Sequence, residues 1–88
     1  MTATTPAAID TAIIEAIGPI PFPLTPARAA DYYDRRAAFC LEAADTSSAL
    51  AQQIAERGDH TAALALLSEA AAFLAEWQRI NAMLAAFA

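Results

Sequence analysis

Arg36 is the side chain with the most chemical potential in this sequence, because it interrupts an apolar run that includes Tyr32, Tyr33, Phe39 and Cys40. A charge in such a setting is unfavourable unless paired, and a guanidinium pairs best with a carboxylate lying in its plane. Two uses follow. In one, Arg36 belongs to a polar pair that fixes helix register, meeting Asn81 or extending toward solvent or a carboxylate of the first helix. In the other, it forms a site for an anion or a peptide carboxylate, supported by Tyr32 or Tyr33.

The remaining reactive side chains point away from catalysis. His60 follows Asp59 at a turn and is the one histidine, so neither a zinc site nor a Glu-x-x-His di-iron bundle can be assembled within one chain. Cys40 has no second cysteine to bond and no neighbouring histidine to activate it, and reads as a small buried hydrophobe. The pairs Asp31 with Asp34 and Glu42 with Asp45 have the residue types for acid–base or metal chemistry. They share a helix face with Arg35, Gln52, Gln53 and Glu56, which reads as solvated. With Gly18 and Gly58 the only glycines, no phosphate-cradling loop exists. The chain is read as non-enzymatic, with no cofactor and no metal.

Composition bounds the elements that carry these residues. The 88 residues are 58% hydrophobic, include 26 alanines and contain no valine, so the best helix former abounds and one of the preferred strand formers is missing. The expected class is all-α. Five arginines and no lysine against ten acidic residues give a net charge of −5, which repels phosphate backbones and anionic lipid. Neither nucleic acid nor a membrane is expected as a direct partner. The first residues lack the basic start of a signal peptide and no apolar run suits a bilayer, so a cytoplasmic protein is expected.

Punctuation residues divide the chain into a single helical domain. Thr5 before Pro6 and Gly18 before Pro19 delimit a short helix over 5–18, with Ile9, Ile13, Ala16 and Ile17 on its apolar side. Proline alternates with apolar residues over 19–25, which predicts an extended connector; docking of Phe22 and Leu24 into an aromatic groove is its other possible use. Thr25 and Pro26 repeat the cap signal and open a helix over 26–57, which Gly58 ends; Asp59 caps another over 59–87. So short a connection predicts an antiparallel helical hairpin.

The two long helices are unequal in bulk. The second carries a seam of mostly small residues, Ala29, Tyr33, Ala37, Cys40, Ala44, Ser47, Ala51 and Ile54. On the third, Leu66, Phe73, Ile80 and Phe87 recur every seven residues, and Ala63, Leu67, Ala70, Leu74, Trp77 and Leu84 widen the stripe. That stripe is wider than one alanine-lined helix covers. Self-association completing a four-helix type of bundle is the expected remedy, a different protein partner the alternative.

Between Leu50 and Ala70 the chain resembles a single tetratricopeptide repeat, at Leu50, Gly58, Asp59, His60, Ala63, Leu64 and Ala70. It departs from that family at Ser47, Ala51, Ile54, Leu67 and Ala75, where tryptophan, glycine, tyrosine, phenylalanine and proline stand in the repeat. The resemblance implies a protein-binding module and carries over no binding residue.

The expected role is a non-enzymatic protein–protein interaction or regulatory subunit acting as a homodimer. Tyr32, Arg36, Phe39, Phe73, Trp77, Ile80, Asn81 and Phe87 are its candidate interaction residues. Two alternatives stand beside it. One is a carrier of an apolar ligand lined by Phe73, Trp77, Ile80 and Cys40. The other is an acidic inhibitor of a basic nucleic-acid-handling enzyme.

Overall fold

The caps work as the sequence prescribes. In the computed structural model, which describes residues 5–86, Thr5 Oγ1 accepts a hydrogen bond from the Ala8 amide at 3.1 Å, and Thr25 Oγ1 accepts one from the Arg28 amide at 3.2 Å. Each threonine precedes a proline at the start of its helix, where the missing N–H has no role. Helix α1 spans Pro6–Ile17, α2 Pro26–Glu56 and α3 His60–Ala86. Among the described residues there is no strand, so the chain is all-α. Phe87 lies outside the described residues.

The link between α2 and α3 is a tight C-cap. Gly58 has φ +92°, the Gly58 amide donates to the Ala55 carbonyl at 2.9 Å, and the Asp59 amide donates to Ile54 at 3.2 Å. This is the Schellman arrangement, in which a glycine leaves the helix through positive φ while freed amides satisfy the last carbonyls. Asp59 then accepts from the Ala62 amide at 3.1 Å and starts α3.

Helices α2 and α3 form the most extensively packed pair, and the described residues extend 48 × 22 × 16 Å. The seam of α2 supplies Ala37, Cys40, Ala44, Ser47 and Ala51, all buried; Ala63, Ala70, Phe73 and Ile80 are their buried counterparts on α3. Small residues on α2 therefore receive the bulk of α3, as complementary packing requires.

Helix α1 changes the expected picture. At 12 residues it is too short to hold helical structure by itself in water, so burial of one face must stabilise it. Ile9 and Ile13 provide that face, packing with Cys40, Ala44, Ala70 and Phe73, with Phe39, Ala43 and Ala72 at the margin. Each fully buried isoleucine contributes about 1.5–3 kcal/mol. The helix lies across the pair: Thr5 and Pro6 border Ala75 and Arg79 of α3, while the Ile17 carbonyl accepts from Arg35 Nη1 of α2 at 3.4 Å. Ala16, expected on the apolar stripe, is exposed.

The consequence is a correction. Tyr32, Phe73 and Ile80 are not an uncovered surface; they are 3%, 4% and 0% exposed within one chain. The reason is that α1 closes over the flank of Tyr32 and Phe39, while Ile80 is enclosed within the chain.

Candidate functional site

Two arrangements of side chains remain after the core is accounted for, a buried ionic junction and an exposed seam. The junction centres on Arg36. Its Nη2 donates to Asp10 Oδ1 of α1 at 2.9 Å, its Nη1 to the Tyr32 hydroxyl oxygen at 3.2 Å, and its Nε to Glu76 Oε1 of α3 at 3.4 Å. One guanidinium thus ties all three helices. Glu76 is in turn bound by Arg79, whose Nε donates to both carboxylate oxygens at 3.1 and 3.2 Å and whose Nη2 also contacts Oε1.

The electrostatics are those of a satisfied cluster. Burial by itself would lower the Arg36 pKa, but the hydrogen bonds to Tyr32 and Asp10 and the charge of Glu76 outweigh it, so its pKa rises. The Arg79 hydrogen bond holds the Glu76 carboxyl below its ordinary range despite partial burial. Two cations meet two carboxylates, and each Arg36 nitrogen already has a partner. The arrangement suits a structural lock better than capture of a second anion.

Asn81 is not part of it. The sequence places Asn81 level with Arg36, yet Asn81 is exposed and Arg36 bonds Glu76, five residues earlier on the flank of α3 that faces α1. Level along the axis is not the same as facing across it. The alternative partner, a carboxylate of the first helix, is the one found.

The second arrangement is on α3. Leu67, Leu74 and Asn81 are spaced seven apart, with Leu64, Ala71, Gln78 and Ala85 between them at alternating three- and four-residue steps, and all seven are exposed. This is a heptad seam one residue out of phase with the line of half-buried Leu66 and buried Phe73 and Ile80. It faces away from α1: Ala72 packs at the α1 contact, and Leu74, two residues later, lies ~200° further round the helix. Leu41 stands in the same relation to Phe39 on α2. Exposures of 66% for Leu64, 48% for Leu67 and 38% for both Leu74 and Leu41 show the open apolar area.

Charge is partitioned to match. Of the thirteen exposed residues between Thr61 and Ala86 only Arg79 is charged, and it lies toward α1; α2 carries the exposed acids Asp31, Asp34, Glu42, Asp45 and Glu56. Half-buried Trp77 borders the open seam, and half-buried Phe39 packs edge-to-face on Phe73 with ring centroids 5.9 Å apart.

Reasoning from the sequence offered a first-helix carboxylate to Arg36 without singling out Asp10, missed Glu76, and took Leu67 and Leu74 as edges of the buried stripe. The seven-residue recurrence of Leu67, Leu74 and Asn81 was a legible signal. The Asp10–Arg36 pairing had none, since 26 residues separate the two.

No protein-family model matches this chain, and neither a curated protein nor a solved structure matches it significantly. Among the described residues no three His, Cys, Asp or Glu side chains converge as metal ligands would, and no helix is long and apolar enough to cross a membrane.

Proposed function

We propose that this chain is a non-enzymatic helical interaction subunit that acts as a homodimer. In this reading α2 and α3 form an antiparallel hairpin, and the face turned away from α1 pairs with the same face of a second copy to give a four-helix core. The observation that carries the proposal is the exposed, uncharged heptad seam of α3. Leucines at Leu67 and Leu74 supply apolar burial, Ala71 and Ala85 permit close helix approach, and Asn81 gives the polar position that sets register and oligomeric state in paired helices. A two-fold axis matches a self-complementary face with no further partner required. The interaction residues thereby shift from Tyr32, Phe73 and Ile80 to Leu64, Leu67, Leu74 and Asn81, with Trp77 at the border. The tetratricopeptide-like stretch from Leu50 to Ala70 and the net charge of −5 fit a subunit that binds protein rather than nucleic acid or membrane. The buried free thiol of Cys40 fits a reducing, cytoplasmic setting.

Sedimentation equilibrium tests this directly. The expected mass is that of two chains, falling to one in the Leu67→Glu, Leu74→Glu double variant with helical circular dichroism retained. A single-chain mass for the unaltered protein up to its solubility limit sinks the proposal.

One observation favours a second reading, a carrier of an apolar ligand. The lining expected for it is filled, with Cys40 and Ile80 fully buried. A separate cavity of about 490 Å³ lies where the connector meets the helix ends, lined by Leu24, Ala29, Tyr33, Met83 and Leu84. An added small mass in native mass spectrometry, lost in Ala29→Trp, distinguishes that reading from the first.

A further inference from the structure

The groove that receives α1 is organised by the other two helices. Arg36 is oriented by groups on α2 and α3: its Nη1 donates to the Tyr32 hydroxyl and its Nε to Glu76, which Arg79 holds in turn. Only Nη2 turns to α1, where Asp10 meets it at 2.9 Å. The Arg36 side chain is 10% exposed, so the hairpin presents a nearly buried cation to whatever lies in the groove.

Helix α1 is a modest occupant of that groove. Of its twelve residues only Ile9 and Ile13 are buried, and its packing on either long helix is slight beside that between α2 and α3. Cavities of about 480, 520 and 370 Å³ border it at Pro6, at Ala12 and at Ile14. Its connector holds it loosely. Ile20, Phe22 and Leu24 stand 45%, 95% and 47% exposed, so the proline segment tethers α1 without packing it into place.

An apolar groove with one directed cation and an underfilled contact suits an amphipathic helix. We propose that the α1 groove is a recognition site for a helix of a partner protein, and that α1 is its internal stand-in, displaced when that helix binds. The partner helix carries two branched apolar residues four apart, as Ile9 and Ile13 are, and a carboxylate directly after the first to reach Arg36. Where α1 has Ala12 it carries a larger apolar side chain, which lies on Phe39 and Ala43. The site stands apart from the homodimer, whose seam faces away from α1.

The probe is a fluorescent, amidated peptide with the sequence of Thr5–Gly18, titrated onto the isotope-labelled full chain. A saturable rise in anisotropy is expected, while the chain's own Ala7–Ile17 amides move to unfolded positions in the NMR spectrum. The Asp10→Ala chain, whose tethered helix is weakened, should bind the peptide about two- to fivefold more tightly. Asp10→Ala in the peptide should instead weaken its binding to the unaltered chain about two- to fivefold, and Ala12→Leu in the peptide should tighten it about three- to tenfold. Circular dichroism of the Asp10→Ala chain confirms that the fold persists. The proposal is overturned by the absence of saturable binding to both chains, by binding that leaves the α1 amides in place, or by equal affinities of the unaltered and Asp10→Ala peptides. A two-chain mass in the Leu67→Glu, Leu74→Glu variant also overturns it, because a second copy's α1 would then be the occupant.

Discussion

Asp10 of α1 accepts a 2.9 Å hydrogen bond from Arg36 of α2, so the shortest helix is anchored by a charge that the core of the other two holds in place. The Arg36 side chain is 10% exposed and the Asp10 side chain 52%, which makes the two ends unequal. Removing the buried end leaves the Tyr32 hydroxyl without its partner and Glu76 with Arg79 alone, whereas removing the wet end leaves Arg36 with two partners.

Arg36→Ala should therefore destabilise the protein by about 2–3 kcal/mol, and Asp10→Ala by about 1 kcal/mol or less. Urea denaturation of both single variants and the double variant gives the coupling. Amide exchange should accelerate across Pro6–Ile17 in either single variant while the Cys40–Ala51 stretch keeps its protection. Equal losses in the two single variants would contradict the asymmetry.

Glu76 supplies a pH dependence. Arg79, aided by Arg36, holds its folded-state pKa below the ordinary 4.5, so its stabilising contribution is fully present above that value and disappears as pH falls through the lower, folded value. Stability should decline on acidification from about pH 4.5 downward, and Glu76→Gln should flatten that part of the curve. Denaturation midpoints measured across the acid range decide it.

The burial pattern predicts which apolar residues hold a single chain together. Ile13 is fully buried, and Ile13→Ala should cost about 3 kcal/mol through lost transfer energy and the cavity left behind. Leu74→Ala, at 38% exposure, should cost a monomer about 1 kcal/mol or less. In a dimer built on the seam, Leu74→Ala should instead weaken association, so concentration-dependent melting separates the two contributions.

Cys40 should be inert while the protein is folded. Burial first, and the Glu76 charge second, push its thiol up to about 11, so little thiolate exists near neutrality. Its reaction with a disulfide-exchange reagent should track global unfolding in urea. Because the unfolded thiol ionises at a lower pH than the folded one, stability should also fall as pH rises above about 8.5. Fast labelling without denaturant would show that the thiol is reachable in the folded chain.

Local chemistry is what the sequence settles without help. Thr5 with Pro6, Thr25 with Pro26, Gly18, Gly58 and Asp59 mark helix ends because caps act through hydrogen bonds spanning a few residues. The seam from Ala37 to Ala51 is legible because small residues on α2 alternate cleanly with charged ones. The third helix is different. It is apolar round more than half its circumference, so two adjacent heptads, Leu66–Phe73–Ile80 and Leu67–Leu74–Asn81, compete for the interior, and periodicity alone cannot rank them. Tertiary packing ranks them. Helix α1 lies across Ala72 and Glu76, the Phe73 line turns inward with it, and the Leu74 line is left outside. The resting place of α1 itself depends on a connector of prolines and on the union of Asp10 with Arg36, a contact between residues far apart in the chain that no local pattern encodes.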